Sequence, residues 1–214
     1  MLKSSVFDLW AVTYEEEVDT TDNNNEYPFA GYKKILTLIY NMITESSPAR
    51  ILDIGIGTGR LSTKLYDAGN DITGVDFSSE MLDKAKLRMP NAKLFQCNFV
   101  YGLPFAVSEK KYDFIISTYA LHHLTDDLKV SFIINLLELL DEGGQVFIGD
   151  IGFPTRKELT GCKDACAPDE WDDDEYYFVF SELCEQLNVF CNAMYQQVSR
   201  CAGLLKVQKI PRKG

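Results

Sequence analysis

The chain has 214 residues, 46% of them hydrophobic and 25% charged, with a formal net charge of −11. That length and balance suit one globular domain that builds its core without disulfides or metals. Lysines and arginines are scattered apart from a short basic tail at Lys209, Arg212 and Lys213. So acidic a chain is a poor match for phosphate backbones or anionic lipid, which argues against a nucleic-acid or membrane partner.

The six cysteines, Cys97, Cys162, Cys166, Cys184, Cys191 and Cys201, contain no C-x-x-C pair. Cys162 and Cys166 would share a helix face, but no second pair or histidines stand at zinc-ligand spacing. Reduced thiols and no metal are expected. Residues 1–10 lack the apolar stretch of a signal peptide, and no apolar run is long enough to span a bilayer. The expected location is the cytoplasm.

Residues 4–18 read as a short amphipathic helix carrying Phe7, Trp10, Val12 and Tyr14, and 19–26, rich in Asp, Asn and Thr, read as a mobile loop. Residues 32–43 place Ile35, Leu38, Ile39 and Met42 at helical spacing. The pattern then alternates. Strands are expected at 49–54, 71–76, 93–97, 112–118 and 145–150, with helices at 60–67, 78–88 and 126–140 between them. That alternation predicts a parallel, doubly wound α/β sheet. A helix at 178–186 and strands at 192–199 and 204–210, joined by a short turn, predict an antiparallel hairpin at one edge. One domain is expected: a helical lid over 1–48, a ligand-binding half over 49–150, and substrate-side helices with the hairpin over 151–214.

Residues 51–59 read Ile-Leu-Asp-Ile-Gly-Ile-Gly-Thr-Gly. A strand runs into Gly55, Gly57 and Gly59, and a helix follows. Glycines let backbone approach a ligand, and the helix start offers free N–H groups. A dinucleotide fingerprint would place its third glycine at position 60, which is Arg60. Asp53, two residues before the first glycine, is awkward beside a pyrophosphate but suits a positively charged ligand. Asp76 ends the next strand, where an acid can accept ribose hydroxyls.

With these residues in view, the chain resembles the class I S-adenosylmethionine-dependent methyltransferases. Asp53-x-Gly55-x-Gly57-x-Gly59 is similar to the family's first motif. Val75-Asp76-Phe77-Ser78 with Met81-Leu82 resembles the second. The segment Phe95-Gln96-Cys97-Asn98-Phe99 resembles the adenine-reading segment, although the reading position, usually Asp, is Asn98; an amide carbonyl can accept the adenine amino group without charge. Phe7-x-x-Trp10-Ala11-x-x-Tyr14 resembles the opening of a small bacterial group of small-molecule-type enzymes. The resemblance implies a Rossmann-like sheet of seven strands in the order 3-2-1-4-5-7-6. It also implies S-adenosylmethionine as cofactor, with S-adenosylhomocysteine as product and a small-molecule acceptor. Phe99 would present its N–H to the adenine, and Phe77 and Met81 would pack around the adenosine. Gly55 and Ser117 would line the methionine end, and Tyr14 would close over the ligand.

His122 and His123, the only histidines, follow the fourth strand, at the end of the sheet where α/β folds bind ligands. One reading makes one of them a general base; the other makes both structural. The acidic, aromatic run 169–177 contains Trp171, Tyr176 and Tyr177 as candidate walls of a substrate pocket. Its plainer reading is a solvated helix N-terminus, where carboxylates favour the dipole. Two functional alternatives remain at this level: a noncatalytic regulatory protein that only binds the cofactor, and a nicotinamide-dependent oxidoreductase.

Overall fold

The apolar runs between turn residues become the strands of one sheet in the computed structural model, which describes residues 14–167 and 170–210. The strands are β1 (Arg50–Ile54), β2 (Asp71–Asp76), β3 (Lys93–Gln96), β4 (Tyr112–Thr118), β5 (Leu140–Phe153), β6 (Phe178–Val179), β7 (Cys191–Gln197) and β8 (Ala202–Lys209). Their order is β3-β2-β1-β4-β5-β8-β7, with the two-residue β6 paired to β5 off this path. With β6 set aside, this is the expected order; the correction is an eighth, short strand. Strands β1 to β5 are parallel, while β8 runs antiparallel to both β5 and β7.

The helices are α1 (Tyr14–Asn24), α2 (Tyr32–Thr44), α3 (Arg60–Asp67), α4 (Ser79–Arg88), α5 (Phe105–Ser108), α6 (Asp126–Leu139), α7 (Arg156–Ala165) and α8 (Phe180–Leu187). Successive strand residues point to opposite faces, and the core divides accordingly. Ile51 faces a cluster with Ile35, Ile39 and Leu65 of α2 and α3. Leu52 faces a second cluster with Ile133, Leu136 and Leu187 of α6 and α8. Helix α2 comes so close to β5 that a Cβ added at Gly149 would lie 2.2 Å from Ile35 Cγ2. No helix among the described residues is long and apolar enough to cross a membrane.

Three local expectations are corrected. Residues 19–24 continue helix α1 rather than forming a loop. Val18 is fully buried, Asp19 pairs with Arg60 at 2.8 Å, and Asp22 accepts from the Gly31 N–H at 2.9 Å; these tertiary bonds override the weak helix propensity of Asp, Asn and Thr. The fifth strand begins at Leu140, and Gly143, at φ 76°, sits in a bulge where the register with β4 shifts. Helix α8 starts at Phe180, because Phe178 and Val179 first pair with Gly152 and Phe153. The Phe178 ring lies where a Cβ at position 152 would be, 2.4 Å away, so only glycine admits that pairing. Phe7, Trp10, Val12, Asp169 and the side chain of Tyr14 lie outside the described residues.

Candidate active site

The chain leaves β1 through three glycines with positive φ: Gly55 at 70°, Gly57 at 53° and Gly59 at 76°. Side chains are strained there, and the neighbours differ at each position. A Cβ on Gly55 would lie 2.4 Å from Ala120 Cβ and 3.9 Å from Phe99, so the loops leaving β3 and β4 lean directly on the glycine loop. A Cβ on Gly57 would meet nothing within 4 Å. Gly57 therefore presents bare backbone to open space at the C-terminal end of the sheet. Gly59 caps α3, and Arg60, the residue that departs from a dinucleotide fingerprint, reaches back to Asp19 of α1.

Both strand-tip acids flank this loop. Asp76 is buried and accepts from the backbone N–H of Gly57 at 2.8 Å and of Ser78 at 2.9 Å. These bonds orient its carboxylate beside the glycines. Asp53 is also buried; Ser62 Oγ donates to its Oδ2 at 2.6 Å, and its Oδ1 has no hydrogen-bond partner. Burial, reinforced by the nearby Asp76 charge against the Ser62 bond, raises the Asp53 pKa to about 7.

The other expected cofactor residues lie at or just after the C-terminal ends of β2, β3 and β4. Asn98 is exposed and caps a short 3₁₀ turn, its Oδ1 accepting from Val100 N–H at 3.1 Å. Phe99 is buried against Phe132, ring centroids 5.4 Å apart. Met81 is buried in the first turn of α4, where its N–H donates to the capping Ser78 hydroxyl at 3.2 Å. Phe77 is half-buried, and its carbonyl accepts from Gln96. The Ser117 hydroxyl is buried and donates to the Ile54 carbonyl at 3.0 Å, tying β4 to β1 just before the glycines.

The histidine pair forms a 3₁₀ turn after β4. Asp150, on the neighbouring β5, takes the His122 backbone N–H at 3.1 Å and its Nδ1 at 2.7 Å. On the other side Glu175 Oε1 lies 3.4 Å from His122 Nε2 and 4.0 Å from His123 Nδ1. Burial opposes charge on His122, but Asp150 and Glu175 outweigh it and hold its pKa above the ordinary value. Burial, with charged His122 adjacent, pushes His123 down to about 3. Burial works against ionisation of Asp150 too, yet His122 holds its pKa below the usual range.

The acidic, aromatic run is not a helix N-terminus; its described residues are turns and extended chain leading into β6. Trp171 stacks on Tyr27 at 5.2 Å and meets Tyr177 edge-on at 4.9 Å. The Tyr177 hydroxyl donates to Glu175 Oε2 at 2.8 Å and also bonds the Tyr27 hydroxyl. Tyr176 does not join them: it is 45% exposed, with its ring over the Lys129 ammonium. Lys129 is buried and donates to the carbonyls of Leu124 and Tyr176, fastening this segment to the histidine turn. Sequence reasoning missed Asp150, Glu175, Tyr27 and Lys129. Asp150 was findable as an acid ending an apolar strand beside the histidine strand; Glu175 was hidden in a run of acids that carries no periodicity. All six cysteines are free thiols.

The comparisons with known proteins agree with this architecture. The methyltransferase-domain family matches residues 51–144, from the glycine strand to the bulge of β5. An uncharacterized methyltransferase of Bacillus mycoides (strain KBAB4) is 38% identical over 150 residues, covering 70% of this chain and 68% of that protein. Another, of Oceanobacillus iheyensis, is 34% identical over 152 residues, 71% of this chain and 68% of its own. Among solved structures the fold is similar to a DhpI–SAH complex, with a TM-score of 0.67 at 19% identity over 98% of this chain and 96% of that one. It is also similar to magnesium protoporphyrin IX methyltransferase from Synechocystis PCC 6803 with bound SAH, with a TM-score of 0.65 at 18% identity over 85% of each chain. None of these matches supports a nicotinamide-dependent oxidoreductase. The glycine strand lies inside the matched methyltransferase domain, and with relatives 34–38% identical over 68% of their own length the chain belongs to the class I S-adenosylmethionine-dependent methyltransferases.

Proposed function

We propose that this enzyme methylates a small molecule, holding S-adenosylmethionine by its ammonium at Asp53 and by its ribose at Asp76. The observation that carries the reading is Asp53 Oδ1, a buried carboxylate oxygen without a hydrogen-bond partner beneath a glycine loop. Buried polar atoms are almost always paired, and an unpaired carboxyl oxygen that gives up its proton as a ligand ammonium binds fits a cationic ligand group. Gly57 supports the same reading, since its bare backbone faces open space next to the Asp76 carboxylate. Asn98 and Phe99 are the proposed adenine contacts, with Phe77 and Met81 around the adenosine and Gly55 and Ser117 at the methionine end. Tyr14 is proposed to close over the ligand.

When bound, the cofactor supplies a methyl group already activated by its sulfonium, so the protein's work is positioning and exclusion of water. Tyr177, packed on His122, and Trp171 against it are proposed as the acceptor wall, with Tyr176 on its outer edge. His122 is pinned between two acids, and His123 is too weakly basic at neutral pH to be an effective proton acceptor. The pair is therefore proposed to position the acceptor rather than to abstract its proton. The net charge of −11 and the acids around Trp171 favour a neutral or cationic small acceptor over nucleic acid. A screen of small-molecule acceptors that detects S-adenosylhomocysteine formation tests this. Turnover is expected with a small acceptor; turnover confined to nucleic acid or protein acceptors would overturn the proposal.

A further inference from the structure

We infer that His122, His123 and Glu175 form a binding site for one divalent transition-metal ion on the acceptor side of the cleft. The argument begins with three donor atoms: His122 Nε2, His123 Nδ1 and Glu175 Oε1 all lie within 4.8 Å of one another. Two donors each about 2.1 Å from a tetrahedral ion lie roughly 3.4 Å apart. His122 Nε2 and Glu175 Oε1 are 3.4 Å apart. That is long for a direct hydrogen bond but right for two ligands of one ion. His123 Nδ1, at 4.0 Å from the same oxygen, must close by about 0.6 Å to share the ion.

The surrounding bonds match what metal ligands need. A ligating histidine usually donates its other ring nitrogen to a carboxylate, which fixes the tautomer and aims the free lone pair. His122 Nδ1 does this toward Asp150 Oδ1 at 2.7 Å, and Ile151 N–H holds that same oxygen at 2.8 Å; an ion at Nε2 takes the place of the second ring proton, which is released to solvent on binding. Glu175 is held likewise, with Tyr177 donating to Oε2 and Oε1 turned to the histidines.

Two imidazoles and one carboxylate suit zinc, cobalt, iron or manganese rather than magnesium or calcium. Three protein ligands leave at least one coordination position open, as catalytic sites do. The histidine turn touches the glycine loop through Ala120, which puts the three ligands at the same end of the sheet as that loop. The ion would therefore bind an oxygen or nitrogen lone pair of the acceptor; this role, though not the metal site itself, rests on the function proposed above.

The test uses the full chain stripped with a chelator and titrated with Co²⁺, followed by Zn²⁺ competition. One Co²⁺ per chain is expected, with visible d–d bands of low-coordinate geometry that Zn²⁺ abolishes. Glu175→Gln and His123→Gln should each weaken binding at least tenfold, and Asp150→Asn by about ten- to a hundredfold. His123 is partly exposed, so its variant is expected to keep the fold, which circular dichroism checks. No stoichiometric Co²⁺, or binding that Glu175→Gln and His123→Gln both retain, overturns the site. Calorimetry with S-adenosylhomocysteine on the stripped protein keeps the two readings apart. Cofactor binding without metal binding sinks only this inference, whereas metal binding without cofactor binding sinks only the cofactor assignment.

Discussion

Ser62 donates to one oxygen of Asp53 at 2.6 Å and leaves the other oxygen buried without a hydrogen-bond partner. The pair lies under the glycine loop, and burial holds the Asp53 carboxyl near a pKa of about 7, far above its ordinary 3.8. In the free enzyme the folded state therefore keeps a proton that the unfolded state has lost between those values. This group favours folding least once the pH passes about 7, and its contribution falls as pH rises through that window. A ligand ammonium reverses the preference. S-adenosylhomocysteine affinity is expected to rise with pH up to about 7 and then level off, with a proton released on binding below that pH. Calorimetry in buffers of different ionisation enthalpy measures the proton, and Asp53→Asn should abolish its release. Proton release equal in the variant would rule out Asp53 as the ammonium partner.

Asp76→Ala should weaken S-adenosylhomocysteine by roughly 1.5–3 kcal/mol, the loss of a hydrogen bond to a charged group. Asp76 also holds the Gly57 and Ser78 N–H groups, so the variant's melting temperature must be compared alongside. Affinity that stays at the wild-type value would sink the ribose assignment.

Gly149→Ala should destabilise the fold by about 1–3 kcal/mol through overpacking. The added methyl would lie 2.2 Å from Ile35 Cγ2, in the core between β5 and α2. Urea unfolding measures it, and the double variant Gly149→Ala with Ile35→Val should recover part of the loss. A Gly149→Ala midpoint unchanged in urea would show that α2 moves aside at no cost.

Asp150→Ala removes the acceptor of three donors at once: the His122 ring, the His122 N–H and the Ile151 N–H. A cost of about 3 kcal/mol or more is expected, since each buried donor left unpaired costs about 1–3 kcal/mol. Asp150→Asn, which keeps an acceptor, should lose less. Equal unfolding midpoints for the two variants would contradict this account of Asp150.

Trp171→Ala should lower kcat/KM for a verified acceptor by about tenfold to a hundredfold while leaving S-adenosylhomocysteine affinity unchanged. The indole stacks on Tyr27 and meets Tyr177 edge-on, with no ring contact to the glycine loop. A variant that loses cofactor affinity as much as turnover would move Trp171 out of the acceptor wall.

The alternation of apolar runs with amphipathic ones was enough, on its own, to determine a parallel sheet with an antiparallel edge. Each run carries its own period, and buried parallel strands are apolar throughout. The glycine loop and the acids at the tips of β1 and β2 were legible for the same reason: Asp53, Gly55, Gly57 and Gly59 lie in one short stretch, and Asp76 ends the next strand. Relations between distant segments were not legible. That His122 meets Asp150 across 28 residues depends on β4 and β5 being neighbours, and that Glu175 closes the other side depends on Phe178 seating on Gly152. Residues 19–24 show the same limit in reverse, since Asp and Asn favour loops locally yet become helix once Arg60 and Gly31 supply partners. Local pattern encodes which way a segment prefers to fold. Which charged groups share a buried space is decided only when the sheet brings them together, because desolvation and pairing act over a few ångströms in space rather than along the chain.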